Sequence, residues 1–209
     1  MKNKTIYFLG CIFLFIGLIW LFLPHFAHSH IEKEINNNDE STHFENVIYG
    51  LIGTLTGLFL ITISNKYEER KIPLKNKTYL KEVIVTLSIS GGFIHASLIL
   101  EHFREWIGYG LFFFVVSIAQ IVYGIIILTD LKTNRNPLKN KSSWRIFYLA
   151  GITGNLIIIV IYIITRTVGI PFFGPEAGII EAISPIDIFS KIVEILTVIF
   201  LAMLMKESY

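Results

Sequence analysis

The stretch "VIVTLSISGGFIHASLILEH", residues 83–102, decides the fold. It carries no formal charge until Glu101, and it is long enough to cross a bilayer, since a hydrocarbon core about 30 Å thick takes about 20 helical residues. The question is whether such a run is a buried soluble helix or a membrane span. The rest of the chain answers it. Of 209 residues, 53% are hydrophobic, 17 are Phe, and only 16% are charged. The mean hydropathy is +0.62. A soluble domain of this size cannot hide so much apolar surface, so lipid is the expected solvent.

Five further runs have the length and composition of spans. With 83–102 they make six, at roughly 5–23, 46–64, 83–102, 107–129, 146–168 and 186–205. The expected fold is therefore all-α, a polytopic bundle of six transmembrane helices. The second run, with Gly50, Gly53 and Gly57 on one helical face, is suited to close packing in lipid. The first has the look of a signal peptide, with Lys2 and Lys4 ahead of an apolar stretch. That stretch exceeds the usual h-region and lacks a good small-residue cleavage site, so an uncleaved anchor is expected.

Basic residues orient the spans. Loop 65–82 carries Lys66, Arg70, Lys71, Lys75, Lys77 and Lys81, and loop 130–145 carries Lys132, Arg135, Lys139, Lys141 and Arg145. With six spans these loops share one side with Lys2, Lys4 and Lys206. The opposite loops, 24–45, 103–106 and 169–185, hold only Lys33 and Arg104. Both termini should thus be cytoplasmic. The expected organisation is a two-helix addition at 1–65 with a His-containing outer loop, a basic cytoplasmic loop at 66–82, and a four-helix transmembrane core at 83–209. The basic blocks lack interleaved aromatics, which argues against nucleic acid. The expected surroundings are the lipid bilayer of the cell membrane and, as an accessory role, subunits of a larger membrane complex.

This topology puts all six histidines in the outer half. His95 lies about 10 Å below His102 at 1.5 Å per residue, and Glu194 lies at the same depth in the last span. His95 and His102 share a helix face, as do Asp187, Lys191 and Glu194, where Lys191 can pair with both acids. Arg166 sits near the outer end of the fifth span. Glu176 and Glu181 fall in the outer segment before the sixth. Ionisable groups inside a span cost a few kcal/mol unless paired or hydrated, so these faces should converge. The expected pocket comprises His95, Glu101, His102, Arg166, Glu181, Asp187, Lys191 and Glu194. Deeper, Gln120 and Asn155 should meet at equal depth as a clamp between helices, with an ion path as the other reading. Segment 169–188, rich in Gly and Pro with Phe172 and Phe173, is either a lid or a plain surface loop.

The residues "GGFIHASLILEHFREWIGYGLFFFVVSIAQ" (91–120) and "GITGNLIIIVIYIITRTVGIPFFGPEAGIIEAISPIDIFSKIVE" (151–194) carry a resemblance. His95, the Glu101–His102 pair, Gln120, Gly154–Asn155, Thr165–Arg166–Thr167, Gly174–Pro175 and the late acids form a pattern that resembles a group of small multi-span membrane proteins of bacteria and archaea. The resemblance covers about 83–205. It implies that spans three to six are a shared unit in which His95, Glu101, His102, Arg166, Glu181 and Glu194 belong together. It implies no reaction.

Three chemistries fit these residue types. His95, His102 and Glu194 could supply three ligands to Cu or Zn, loaded from a loop site at His25, His28 and His30, with His43 beyond. A paired polar cluster holding the helices needs no metal. A membrane-embedded metal-dependent enzyme would use Glu101 or Glu194 as base, His95 to polarise water and Arg166 to hold an anion. Haem fits poorly, because bis-His ligation wants facing helices and only the third span holds intramembrane His. Cys11 is the sole cysteine, which excludes an internal disulfide. The favoured expectation is an outward-facing pocket that binds a metal ion or small ligand, with a small-solute or ion transporter as the alternative.

Overall fold

The computed structural model describes the backbone of residues 4–31, 39–133, 141–169, 174–175 and 177–208, and the side chains of 4–21, 47–131, 142–169, 174–175 and 177–207. The described elements are helices: α1 (Lys4–Ile31), α2 (Asp39–Glu69), α3 (Lys77–Glu105), α4 (Ile107–Thr133), α5 (Lys141–Thr167) and α6 (Pro185–Ser208). Each holds a window long and apolar enough to cross a membrane, six among the described residues. The chain is an all-helical, multi-pass membrane protein.

Every helix outruns the apolar stretch inside it. At 1.5 Å per residue, α1 extends about 42 Å, the thickness of a bilayer with its headgroups. Polar residues beyond the hydrocarbon core can continue a helix because headgroups and water solvate them there. Two expected loops shrink accordingly. Residues 24–31 continue α1, and His43 lies within α2, so most of the expected outer loop 24–45 is helix. The side chains of His25, His28, His30 and His43 lie outside the described residues. The basic loop 65–82 contracts to 70–76, because Asn76 caps α3 by accepting from the backbone N–H of Thr78 (3.0 Å) and Tyr79 (3.3 Å).

The chain divides into two units, Met1–Leu74 and Lys75–Tyr209. The first is the antiparallel α1–α2 pair. Water drives no association between helices in lipid, so backbones must approach closely or polar groups must bond. This pair takes the first course. Gly53 and Gly57 lie against α1, and a Cβ on Gly53 would stand 3.0 Å from the Cα of Gly17. Gly10 and Gly50 meet Ile61 and Leu21 in the same way.

The second unit is built around α3, which packs on both α4 and α6, while α6 also packs on α5. Val83, Ile84, Leu87 and Ile94 of α3 and Val193, Phe200, Leu201 and Leu204 of α6 form its apolar interior. α3 reverses into α4 across one residue, Trp106, in extended conformation (φ −166°, ψ 139°). Its N–H donates to the carbonyl of His102 at 3.0 Å, and its own carbonyl accepts from Tyr109 N–H at 3.1 Å. Beyond the end of α5, Gly169 (φ 98°) caps the helix, its N–H reaching back to the carbonyl of Ile164 at 3.1 Å.

Candidate functional site

Four polar pairs tie the second unit together, and each joins a different pair of helices. Lys81 of α3 pairs with Asp130 of α4. Gln120 of α4 donates to Asn155 of α5 at 3.3 Å. Arg166 of α5 contacts Asp187 of α6 at 3.0 Å. His95 of α3 lies 3.0 Å from Glu194 of α6. The pairs close a ring, α3–α4–α5–α6 and back to α3.

The centre of charge is Glu194, which is 0% exposed. Its carboxylate accepts from Lys191 Nζ at 2.7 and 2.6 Å, from Ser190 Oγ at 3.2 Å, and faces Nε2 of His95 at 3.0 Å. His95 is itself 3% exposed. Periodicity brings the acid and the amine together: Lys191 and Glu194 are three apart, so they lie on one stripe of α6. Tyr162 of α5 stands between the two cations, with Lys191 and Arg166 each 5.1 Å from its ring centroid.

Arg166 holds two acids, Asp187 and Glu181. Asp187 is also part of a capping box. Its carboxylate accepts from Ser184 N–H at 2.9 Å while Ser184 Oγ accepts from Asp187 N–H at 3.3 Å. Pro185 occupies the first helical position, where its missing N–H costs nothing. The start of α6 is thereby fixed by the residues that also anchor Arg166. Lys191 bonds Glu194, whereas Asp187 is engaged by Arg166 and Ser184. The expected pairing of one lysine with both acids is divided between two cations.

His102 lies at the edge of the cluster, against Phe113 of α4. Its ring makes an edge contact with Phe113 (centroids 4.0 Å apart), and its Nδ1 is 3.8 Å from a Glu105 carboxylate oxygen. It remains within Coulombic reach of Asp187, Arg166 and His95. The expected metal set His95, His102 and Glu194 does not assemble. Seven residues on one helix separate the two Cα atoms by about 10.5 Å, and Lys191, Ser190 and His95 already occupy Glu194. Among the described residues no three His, Cys, Asp or Glu side chains are grouped as a metal ion requires. Glu101 is exposed and stands apart from the cluster. Six residues from His95, it is turned about 240° around the helix, onto another face.

Of segment 169–188, Phe172, Phe173 and Glu176 lie outside the described residues. The described part is a surface connection. Ile179, Ile180 and Ile183 are exposed, Glu181 N–H donates to the Thr165 carbonyl at 3.2 Å, and Gly174 lies against Tyr109 and Trp106.

Sequence reasoning missed Lys81–Asp130, with Lys81 Nζ 5.3 Å from the Trp144 ring, because both ends were read as loop. It missed Ser184–Pro-Ile-Asp187 too, although that spacing is a capping-box signature. Tyr162 could have been found one turn before Arg166. No family model, curated protein or solved structure matches the chain.

Proposed function

We propose that this is a protein of the cell membrane, with both termini cytoplasmic, that binds a small polar solute at the outward-facing cluster of His95, Arg166, Glu181, Asp187, Lys191 and Glu194. The observation that carries this reading is the environment of Glu194, fully buried within a span and held by an ammonium, an imidazole and a hydroxyl. Apolar packing would hold α3 to α6 at lower desolvation cost, since buried ion pairs are often no more stabilising than well-packed hydrophobic residues. Ionisable groups kept inside a span mark ligand or ion sites by default.

A second reading, transport of that solute, is favoured by the polar groups spaced along the unit: the outer cluster, the Gln120–Asn155 amides, and Lys81–Asp130 towards the opposite end. The binding reading is tested by thermal melting of the purified protein in lipid nanodiscs against a panel of small polar solutes. At least one should raise the midpoint of the wild type and leave Glu194→Gln unmoved. A panel that shifts neither protein counts against it. Orientation is tested with single cysteines at Lys75 and Ala182 in a Cys11→Ser background. An impermeant maleimide on intact cells should label the second and spare the first.

A further inference from the structure

Among the buried polar atoms of the second unit that have no hydrogen-bond partner in the described residues are two acceptors from neighbouring helices, Nδ1 of His95 and Oε1 of Gln120. Their residues are 3% and 7% exposed. The identity of the Gln120 atom follows from its neighbours. Asn155 Nδ2 donates to the carbonyl of Gly151 at 2.8 Å, which turns Asn155 Oδ1 towards Gln120. Gln120 must then present its NH2 to Asn155, and it does, leaving Oε1 as an acceptor. This oxygen faces α3 at Gly91, where a Cβ would stand 2.9 Å from it. Gly91 is one turn from His95, about 6 Å along the same face. On His95, Nε2 faces a carboxylate and so carries a proton, and in the neutral form of the ring Nδ1 is then a second acceptor.

Charge points the same way. With His95 in that neutral form, the carboxylates of Glu181, Asp187 and Glu194 in the surrounding cluster outnumber the cations Arg166 and Lys191 by one. A residual negative charge in a low-dielectric setting favours a monovalent cation. We propose that the bundle contains a subsite, between His95 Nδ1 and Gln120 Oε1, for a small monovalent cation that donates hydrogen bonds: ammonium or a protonated methylamine. The assignment rests on the solute-binding reading above and names the class of solute. Gly91 sets no side chain against Gln120 Oε1, where a methyl group would press on that atom, and neither acceptor suits an anion.

The test is equilibrium binding of radiolabelled methylammonium to the full-length protein in nanodiscs. Saturable binding is expected, displaced by ammonium and resistant to potassium, which is of similar size and has no hydrogens to donate. Gly91→Ala and Gln120→Leu should each weaken binding about tenfold or more, the cost of losing a hydrogen bond to a charged donor. Glu194→Gln should weaken it as well. Unchanged elution and helicity of Gly91→Ala establish that it folds, and if Gln120→Leu fails to fold, Gly91→Ala decides alone. Absence of saturable binding, or equal displacement by potassium, overturns the proposal. Affinity within about twofold of wild type in Gly91→Ala, with loss in Glu194→Gln, removes this subsite and leaves the outer cluster standing. Affinity unchanged in both removes the subsite and the cluster reading together.

Discussion

The two units solve one problem differently. α1 and α2 meet through glycines, with Gly17 and Gly53 close enough that one methyl group would strike the opposite backbone. α3 and α4 also approach through glycine, with Gly92 against Ser117 and Ile121, but α3 to α6 add four polar pairs that close a ring. Glycine contacts need no desolvation and tolerate no added volume. Ionic contacts tolerate shape changes and cannot lose one partner. Lipid permits both, but only the second leaves chemistry in the interior, so the second unit is where function is sought.

Substitutions can break this contrast. The largest effect should come from Lys191→Met, which leaves Glu194 buried with one fewer cation. Breaking a buried pair costs about 3–5 kcal/mol, measurable as loss of unfolding free energy in a mixed-micelle titration. The double change Lys191→Met with Glu194→Leu should recover much of it, because neither charge then remains. Gly53→Leu should follow, at about 1–3 kcal/mol of overpacking. Its damage should be confined to the first unit, so crosslinking between cysteines placed on α1 and α2 should fall while solute binding persists. Loss of solute binding in Gly53→Leu would blur the division. Gln120→Leu should cost less, about 0.6–1.7 kcal/mol, the range for interhelical hydrogen bonds in lipid. Glu101→Gln should lie within about 0.5 kcal/mol of wild type, as for a surface substitution, and should leave solute binding unchanged. A larger effect there would return Glu101 to the cluster.

How much of this was legible in the sequence follows from what each signal encodes. The spans could be read because bilayer thickness imposes a length on apolar runs, and composition alone shows it. Their ends could not, since residues such as Lys77 and Glu105 extend helices into the headgroup layer without changing the apolar count. The meeting of His95 with Glu194 could be foreseen from depth, which counts residues along an axis. Azimuth was harder. Glu101 looks like a neighbour of His102 in the chain, and one residue of helix turns it away by about 100°. The metal set failed for a related reason, because a shared face does not bring side chains two turns apart to one ion. Asp130 and Lys81 escaped notice as loop residues near span ends, and only the packing of α3 on α4 makes them partners.

The reversal at Trp106 carries a consequence for biogenesis. With one extended residue joining α3 to α4, insertion of either helix demands the other, so the two enter the membrane as a hairpin. In the orientation proposed above, only the short tip around Arg104 and Glu105 is carried across. A polar sequence inserted next to Trp106 would, in that orientation, be translocated with the tip, and it would separate Trp106 from Tyr109 and Phe103 from Gly110. Fusion tags therefore belong elsewhere in this chain.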